Sequence, residues 1–239
     1  MVIIVATAFS SVWDDAVVAE SILEIIALTA ADAVAARDGG ADRIELVADM
    51  AAQGLTPSTA TFTAVRTAVG LPVRVMLRGD DGYALRDAPA VARAARDLRA
   101  AGADQFVLGF LDPAGDVDVP AVETVLEAID GCPWTFHRAL DHATDRQAAW
   151  QAIKGLPGLD GVLTAGSARG VEAGLGALLG EAGNTPPVLV GGGLRQHHVA
   201  PLLDAGVRAF HVGGAVRPGG SFERAVDPHL VALWRRILP

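Results

Sequence analysis

A chain of 239 residues, 51% hydrophobic and 20% charged, is long enough to bury one sizeable core and too apolar to be disordered. Its net charge of −9, with arginines scattered among carboxylates, excludes the basic stripe that nucleic acid requires. A single cysteine, Cys132, excludes an internal disulfide and fits a reducing, cytoplasmic setting.

The opening stretch from Met1 to Trp13 is apolar, but it carries no Lys or Arg, is shorter than a membrane span and runs into Asp14 and Asp15. Neither an export signal nor a membrane anchor is expected from it. From Leu23 onward, short β-branched runs alternate with Ala-rich amphipathic segments, the pattern of a parallel sheet with covering helices. Strands are expected at LEIIAL from Leu23, RIELVA from Arg43, PVRVMLR from Pro72 and DQFVLGFL from Asp104. Four more follow at WTFHRAL from Trp134, DGVLTA from Asp160, PVLVG from Pro187 and RAFHVG from Arg208. Helices are expected between them, among them Ala30 to Arg37, Ala90 to Ala101, Pro120 to Ile129 and Arg195 to Ala205.

Eight such units close a single (β/α)8 barrel of the TIM type, with an open doubly wound sheet as the alternative. A weak repeat supports the count. The second, fourth, sixth and eighth strands follow a helix-ending glycine, in GGADRIEL, AGADQFVL, PGLDGVLT and AGVRAFHV. The third, fifth and seventh are entered through proline, in LPVRVML, CPWTFHR and PPVLVGG.

Alternate strand residues face either the barrel interior or the helix layer, so parity sorts the polar side chains. Glu24, Glu45, Arg74, Arg78, His137 and His211 all fall on the interior parity, each acid with a base within reach on a neighbouring strand. The same set would serve as a structural ion-pair network or as a catalytic one. At the end of strand five, TFHRALD places His137, Arg138 and Asp141 where barrel enzymes keep acids, bases and electrophiles. The turns LVGGGLR and HVGGAVR bring Gly191, Gly192 and Gly193, and Gly213 and Gly214, to the ends of the last two strands, where free backbone N–H groups favour an anion. Arg43 and Thr164 are assigned to the same anion site.

His197 and His198 are neighbours at a helix start and are expected to point apart and lie exposed. Cys132, at the entrance to strand five, and the isolated Met50 and Met76 read as core filler, so a soft-metal site is short of donors. The only lysine, Lys154, falls in a helix or its following turn, which disfavours Schiff-base chemistry.

From Leu23 on, the chain resembles the CutC family, known as copper homeostasis proteins. The residues that carry the likeness are LEI at Leu23, GGADRIEL at Gly39, GLTPS at Gly54, VMLR at Val75, TFHRALD at Thr135, LTAG at Leu163, GGG at Gly191 and FH at Phe210. The resemblance implies a TIM-type barrel over residues 23–239, with residues 1–22 as a leader outside the match. It also implies a cytoplasmic setting, self-association as a homodimer, and a role in copper binding or tolerance. Glu24, Arg43, Glu45, Arg78, His137, Arg138, Asp141 and His211 occupy matching positions. Where many relatives carry cysteine after the LEI and IEL strands, this chain has Ile26 and Val47, and its third-strand loop reads LRGDDGY.

Three functions compete on these residues. One is a copper homeostasis factor holding the metal through His137 and His211. Another is a lyase or isomerase acting on a small anionic or sugar-like metabolite, with Glu24 or Glu45 as base and His137 or Asp141 as acid. The third is a noncatalytic scaffold. The expected ligand is a metal or small molecule, with neither nucleic acid nor membrane as partner.

Overall fold

A computed structural model describes residues 20–239, so the expectations for Met1 to Trp13 and for most of the 1–22 leader lie outside the described residues. The glycine and proline punctuation acts as the sequence implies. Gly40, Gly102, Gly158 and Gly206 all take positive φ, between +78° and +101°, turning the chain from each helix toward the next strand. Pro72, Pro133 and Pro187 lack an N–H, but their carbonyls accept from Ile44, Phe106 and Val162 of the preceding or neighbouring strand at 3.0–3.1 Å. Proline therefore opens a strand without leaving its carbonyl side of the ladder unpaired.

The strands are β1 (Ile22–Ala27), β2 (Arg43–Leu46), β3 (Val73–Met76), β4 (Phe106–Leu108), β5 (Trp134–Phe136), β6 (Leu159–Thr164), β7 (Val188–Val190) and β8 (Ala209–Val212). Every adjacent pair is parallel, and β8 returns to β1, closing the barrel. The helices between and after them are α1 (Ala30–Asp38), α2 (Thr59–Ala68), α3 (Ala88–Ala100), α4 (Val119–Ile129), α5 (Arg146–Ile153), α6 (Val171–Glu181), α7 (Val199–Asp204) and α8 (Pro228–Arg236). The doubly wound alternative is thereby excluded. One expected helix is broken: Arg195 to Ala205 divides into a 3₁₀ turn, Gln196–His198, and α7. Among the described residues no helix is long and apolar enough to cross a membrane.

Two apolar layers follow from strand parity. The outer one, between barrel and helices, takes Leu23, Ile25, Ile44, Leu46, Val73, Val75, Phe106, Trp134 and Phe210. A small separate cluster of Ile26, Val47, Met76 and Val107 fills the barrel interior. Polar interior residues sit below and above that cluster, with Glu24 and Arg43 in the floor and Glu45 and His211 reaching from it into the cavity at the mouth.

Candidate functional site

Register explains the floor. Glu24 pairs across the sheet with Arg43 on one side and His211 on the other. Arg43 Nε donates to a Glu24 oxygen at 2.5 Å, and His211 Nδ1 lies 2.8 Å from the other. Burial alone would raise the Glu24 pKa, but the Arg43 and His211 partners outweigh it and hold the carboxyl down to about 2. Glu24 is thus a permanent anion. It accepts only, so the shared proton sits on His211 Nδ1.

Glu45 has a different fate. Its register partner on β3 is Arg74, a base within reach on the neighbouring strand. Arg74 instead donates to both Asp160 oxygens, at 2.7 and 2.5 Å, and to the Thr135 hydroxyl. A bidentate guanidinium–carboxylate fork is stronger than one contact to Glu45, and Asp160 wins. Glu45 is left with His211 Nε2 at 3.8 Å and an Oε1 that has no partner. Burial pushes its pKa up to about 7, against the opposing pull of His211. His211 is itself raised, Glu45 and Glu24 outweighing its burial, so the two residues share a proton near neutrality.

Above the apolar cluster, at the C-terminal ends of the strands, lies a cavity of about 540 Å³. Its wall includes Glu45, Arg78, His137, Arg138 and His211, together with Ile26, Val47, Met50, Met76 and Phe222. Gly192, Gly193, Gly213 and Gly214 line its rim. Among the described residues, the N–H groups of Gly192, Gly193 and Gly213 donate to no backbone acceptor. Several glycines also have steric reasons. A Cβ on Gly191 would stand 2.6 Å from His211 Cδ2, one on Gly192 2.8 Å from the Arg138 guanidinium, and one on Gly213 2.6 Å from Ile26 Cδ1.

Arg78 organises the mouth. Its Nε donates to the carbonyl of Gly82 at 2.9 Å, and its Nη1 reaches the carbonyls of Ala52, Gln53 and Gly54 at 3.0–3.3 Å. The GLTPS motif is therefore tied by its first residue to β3, and its Ser58 caps α2 by accepting from Thr61 N–H. No carboxylate pairs with Arg78 among the described residues, and its Nη2 has no partner. Tyr83 packs beneath the guanidinium at 4.9 Å and meets the His137 ring edge-on at 5.7 Å. Sequence reasoning missed Tyr83 and Phe222, because nothing in the pattern signals which loop residues fold back over a barrel mouth.

His137 Nδ1 accepts from Ala139 N–H at 3.2 Å, capping a 3₁₀ turn over Arg138–His142. The ring proton consequently sits on Nε2, which is buried and without a partner. Burial first, then the Arg78 cation, pushes the pKa of His137 down to about 3. His137 is a neutral hydrogen-bond donor, neither a metal ligand through Nε2 nor a titrating acid.

Several expected site residues are corrected by these positions. Asp141 faces away from the cavity and takes four donors: Arg138 Nε, Arg146 Nη1, the Thr164 hydroxyl and Ala165 N–H, at 2.6–3.0 Å. Asp141 and Thr164 tie β5 to β6 and to the Arg146–Glu181 pair, leaving them no capacity for a substrate. Arg43 and Glu24 neutralise each other in the floor, so Arg43 serves no anion site and Glu24 no base role. His137, paired with His211 as a metal ligand in the sequence reading, belongs to no group of three or more clustered donors among the described residues. Among the described residues, the groups of three or more donors within 4.8 Å of one another are Glu24, Glu45 and His211, and separately Glu172, His197 and His198.

His198 overturns a further expectation, being 1% exposed rather than solvent-facing. In the tight 3₁₀ turn its Nδ1 accepts from Arg195 N–H at 3.1 Å, and its Nε2 meets Glu172 at 3.0 Å. Because Nδ1 is an acceptor, Nε2 carries the proton and donates to Glu172. This surface cluster is a hydrogen-bonded clasp and does not offer a lone pair to a metal.

Comparison with known proteins identifies the family and the fold. The sequence model of the CutC family matches residues 21–216. A CutC family protein of Klebsiella pneumoniae strain 342 is 36% identical over 196 residues, covering 80% of this chain and 79% of the relative. One from Xanthomonas campestris pv. campestris strain 8004 is 36% identical over 219 residues, covering 88% and 90%. The crystal structure of CutC from Streptococcus agalactiae, named as a candidate copper homeostasis protein, superposes with a TM-score of 0.71 at 24% identity. It covers 81% of this chain and 98% of that one, a likeness of fold.

Proposed function

The chain belongs to the CutC family, and from that premise we propose that it serves copper homeostasis by taking up Cu(II) between His211 and Glu45. The observation that carries this reading is the tautomer of His211. With its Nδ1 proton held by the Glu24 anion, the Nε2 lone pair is turned toward Glu45 across 3.8 Å. A carboxylate behind the far nitrogen is the usual support of a metal-binding histidine. Nitrogen and oxygen donors suit Cu(II), whereas Cu(I) favours thiolates. The positions that carry cysteine in many relatives hold Ile26 and Val47, which line the same cavity here. Uptake displaces the proton that His211 and Glu45 share, so binding strengthens as pH rises. Calorimetric titration with Cu(II) tests the reading. His211→Ala is expected to weaken binding at least about tenfold while His137→Ala leaves it unchanged; equal binding by His211→Ala and the parent protein refutes it.

The cytoplasmic setting belongs to the same proposal, supported by the single cysteine, which fits a reducing compartment.

A second reading, acid–base chemistry on a small anionic metabolite, is favoured by Glu45. Its pKa of about 7 suits a group that both takes and returns a proton at neutral pH. The 540 Å³ cavity is also far larger than a lone ion needs. Loss of turnover in Glu45→Gln, once a substrate is in hand, is the expected result, and unchanged turnover excludes it.

A further inference from the structure

Three buried polar atoms on the cavity wall lack partners: Glu45 Oε1, Arg78 Nη2 and His137 Nε2. Buried polar groups are paired in the great majority of cases, so three orphans around one cavity point to a missing ligand. Two of them, Arg78 Nη2 and His137 Nε2, each specify an atom of that ligand. Arg78 is 3% exposed, spends its other donors on four neutral carbonyls and has no counter-ion among its hydrogen-bond partners. Asp80, the acid nearest in sequence, pairs with Arg86 at 3.9 Å. Asp80 and Asp81 act on Arg78 without contacting it, so a bound anion would give this buried cation its one direct counter-charge. His137 offers a neutral N–H, which suits an uncharged carbonyl or hydroxyl oxygen. Ile26, Val47, Met76 and Leu163 give the wall an apolar stretch, beside the polar Gln53 and Tyr83 and the cations Arg138 and Arg195.

We propose that the cavity binds a small carboxylic acid bearing a carbonyl or hydroxyl oxygen beside the carboxylate and a short apolar body. The carboxylate pairs with Arg78, the neighbouring oxygen accepts from His137 Nε2–H, and the body packs on Ile26, Val47 and Met76. Gly192 and Gly193, which follow β7, add N–H groups without backbone acceptors at the cavity rim. This assignment deepens the acid–base reading by naming its ligand class, and it rests on that reading only for the part played by Glu45.

The probe is 4-methyl-2-oxopentanoate, titrated into the full chain by calorimetry beside its uncharged amide and inorganic phosphate. Saturable binding of the acid is expected, with the amide weaker by about tenfold or more, the loss of one charge-assisted hydrogen bond. Arg78→Gln is expected to abolish binding, but Arg78 also fastens two loops and its loss threatens folding. His137→Asn is the safer variant: asparagine keeps an acceptor for Ala139 N–H, while its amide donor ends one bond short of the position of His137 Nε2, and about tenfold weaker binding is expected. The assignment is overturned if the acid fails to bind, if the amide binds equally well, if phosphate binds in its place, or if folded His137→Asn binds like the parent. Loss of turnover in Glu45→Gln bears on the acid–base reading alone, so the two failures are distinguishable.

Discussion

Replacing Glu45 with glutamine removes one titration from the barrel interior while nearly preserving the side chain's shape. Burial lifts this carboxyl from 4.5 in the unfolded chain to about 7 in the folded one. Below pH 4.5 both states hold the proton and the group has no pH-dependent effect. Between 4.5 and about 7 the unfolded chain ionises while the folded protein keeps its proton, so stability falls with rising pH. At about 1.4 kcal/mol per pH unit the loss reaches about 3 kcal/mol once the folded carboxyl has ionised. His211, whose raised pKa is also lost on unfolding, adds a decline of the same sign. Glutamine cannot ionise, so the variant should gain on the parent across this window by about 3 kcal/mol. Urea unfolding of both proteins from about pH 4.5 to 7.5, followed by tryptophan fluorescence, measures the difference. A difference that stays flat, or a parent that stabilises relative to the variant as pH rises, would refute the picture of an unpaired buried Glu45.

Asp141→Ala strands the donors of Arg138, Arg146, Thr164 and Ala165, and a loss of about 3 kcal/mol is expected in denaturant unfolding. Two glycines of α6 should respond in opposite ways. A Cβ on Gly174 would stand 2.0 Å from the Ala165 carbonyl oxygen, so Gly174→Ala should cost about 3 kcal/mol. Gly176 has open space around it, and Gly176→Ala should add about 0.5–1 kcal/mol by helix propensity, both read from thermal melts. Gly191→Ala would push a methyl to 2.6 Å from His211 Cδ2, and it should lower melting temperature and Cu(II) affinity together.

Period-two alternation by itself determined which residues face inward. Glu24, Glu45, Arg74, Arg78, His137 and His211 are all buried, as their parity requires, and the eight strands and their glycine and proline boundaries follow local backbone rules. Only the closed barrel decided who pairs with whom. Arg74 leaves Glu45 for Asp160, 86 residues along the chain, and Asp141 is consumed by β6 rather than offered to a ligand. Side-chain direction is a local property written in neighbouring residues, whereas partner choice is a competition among groups brought together by the whole fold. The tautomers of His137, His198 and His211 belong to that second kind, because each ring proton is placed by the donor or acceptor that the surrounding turn or neighbouring strand presents to Nδ1.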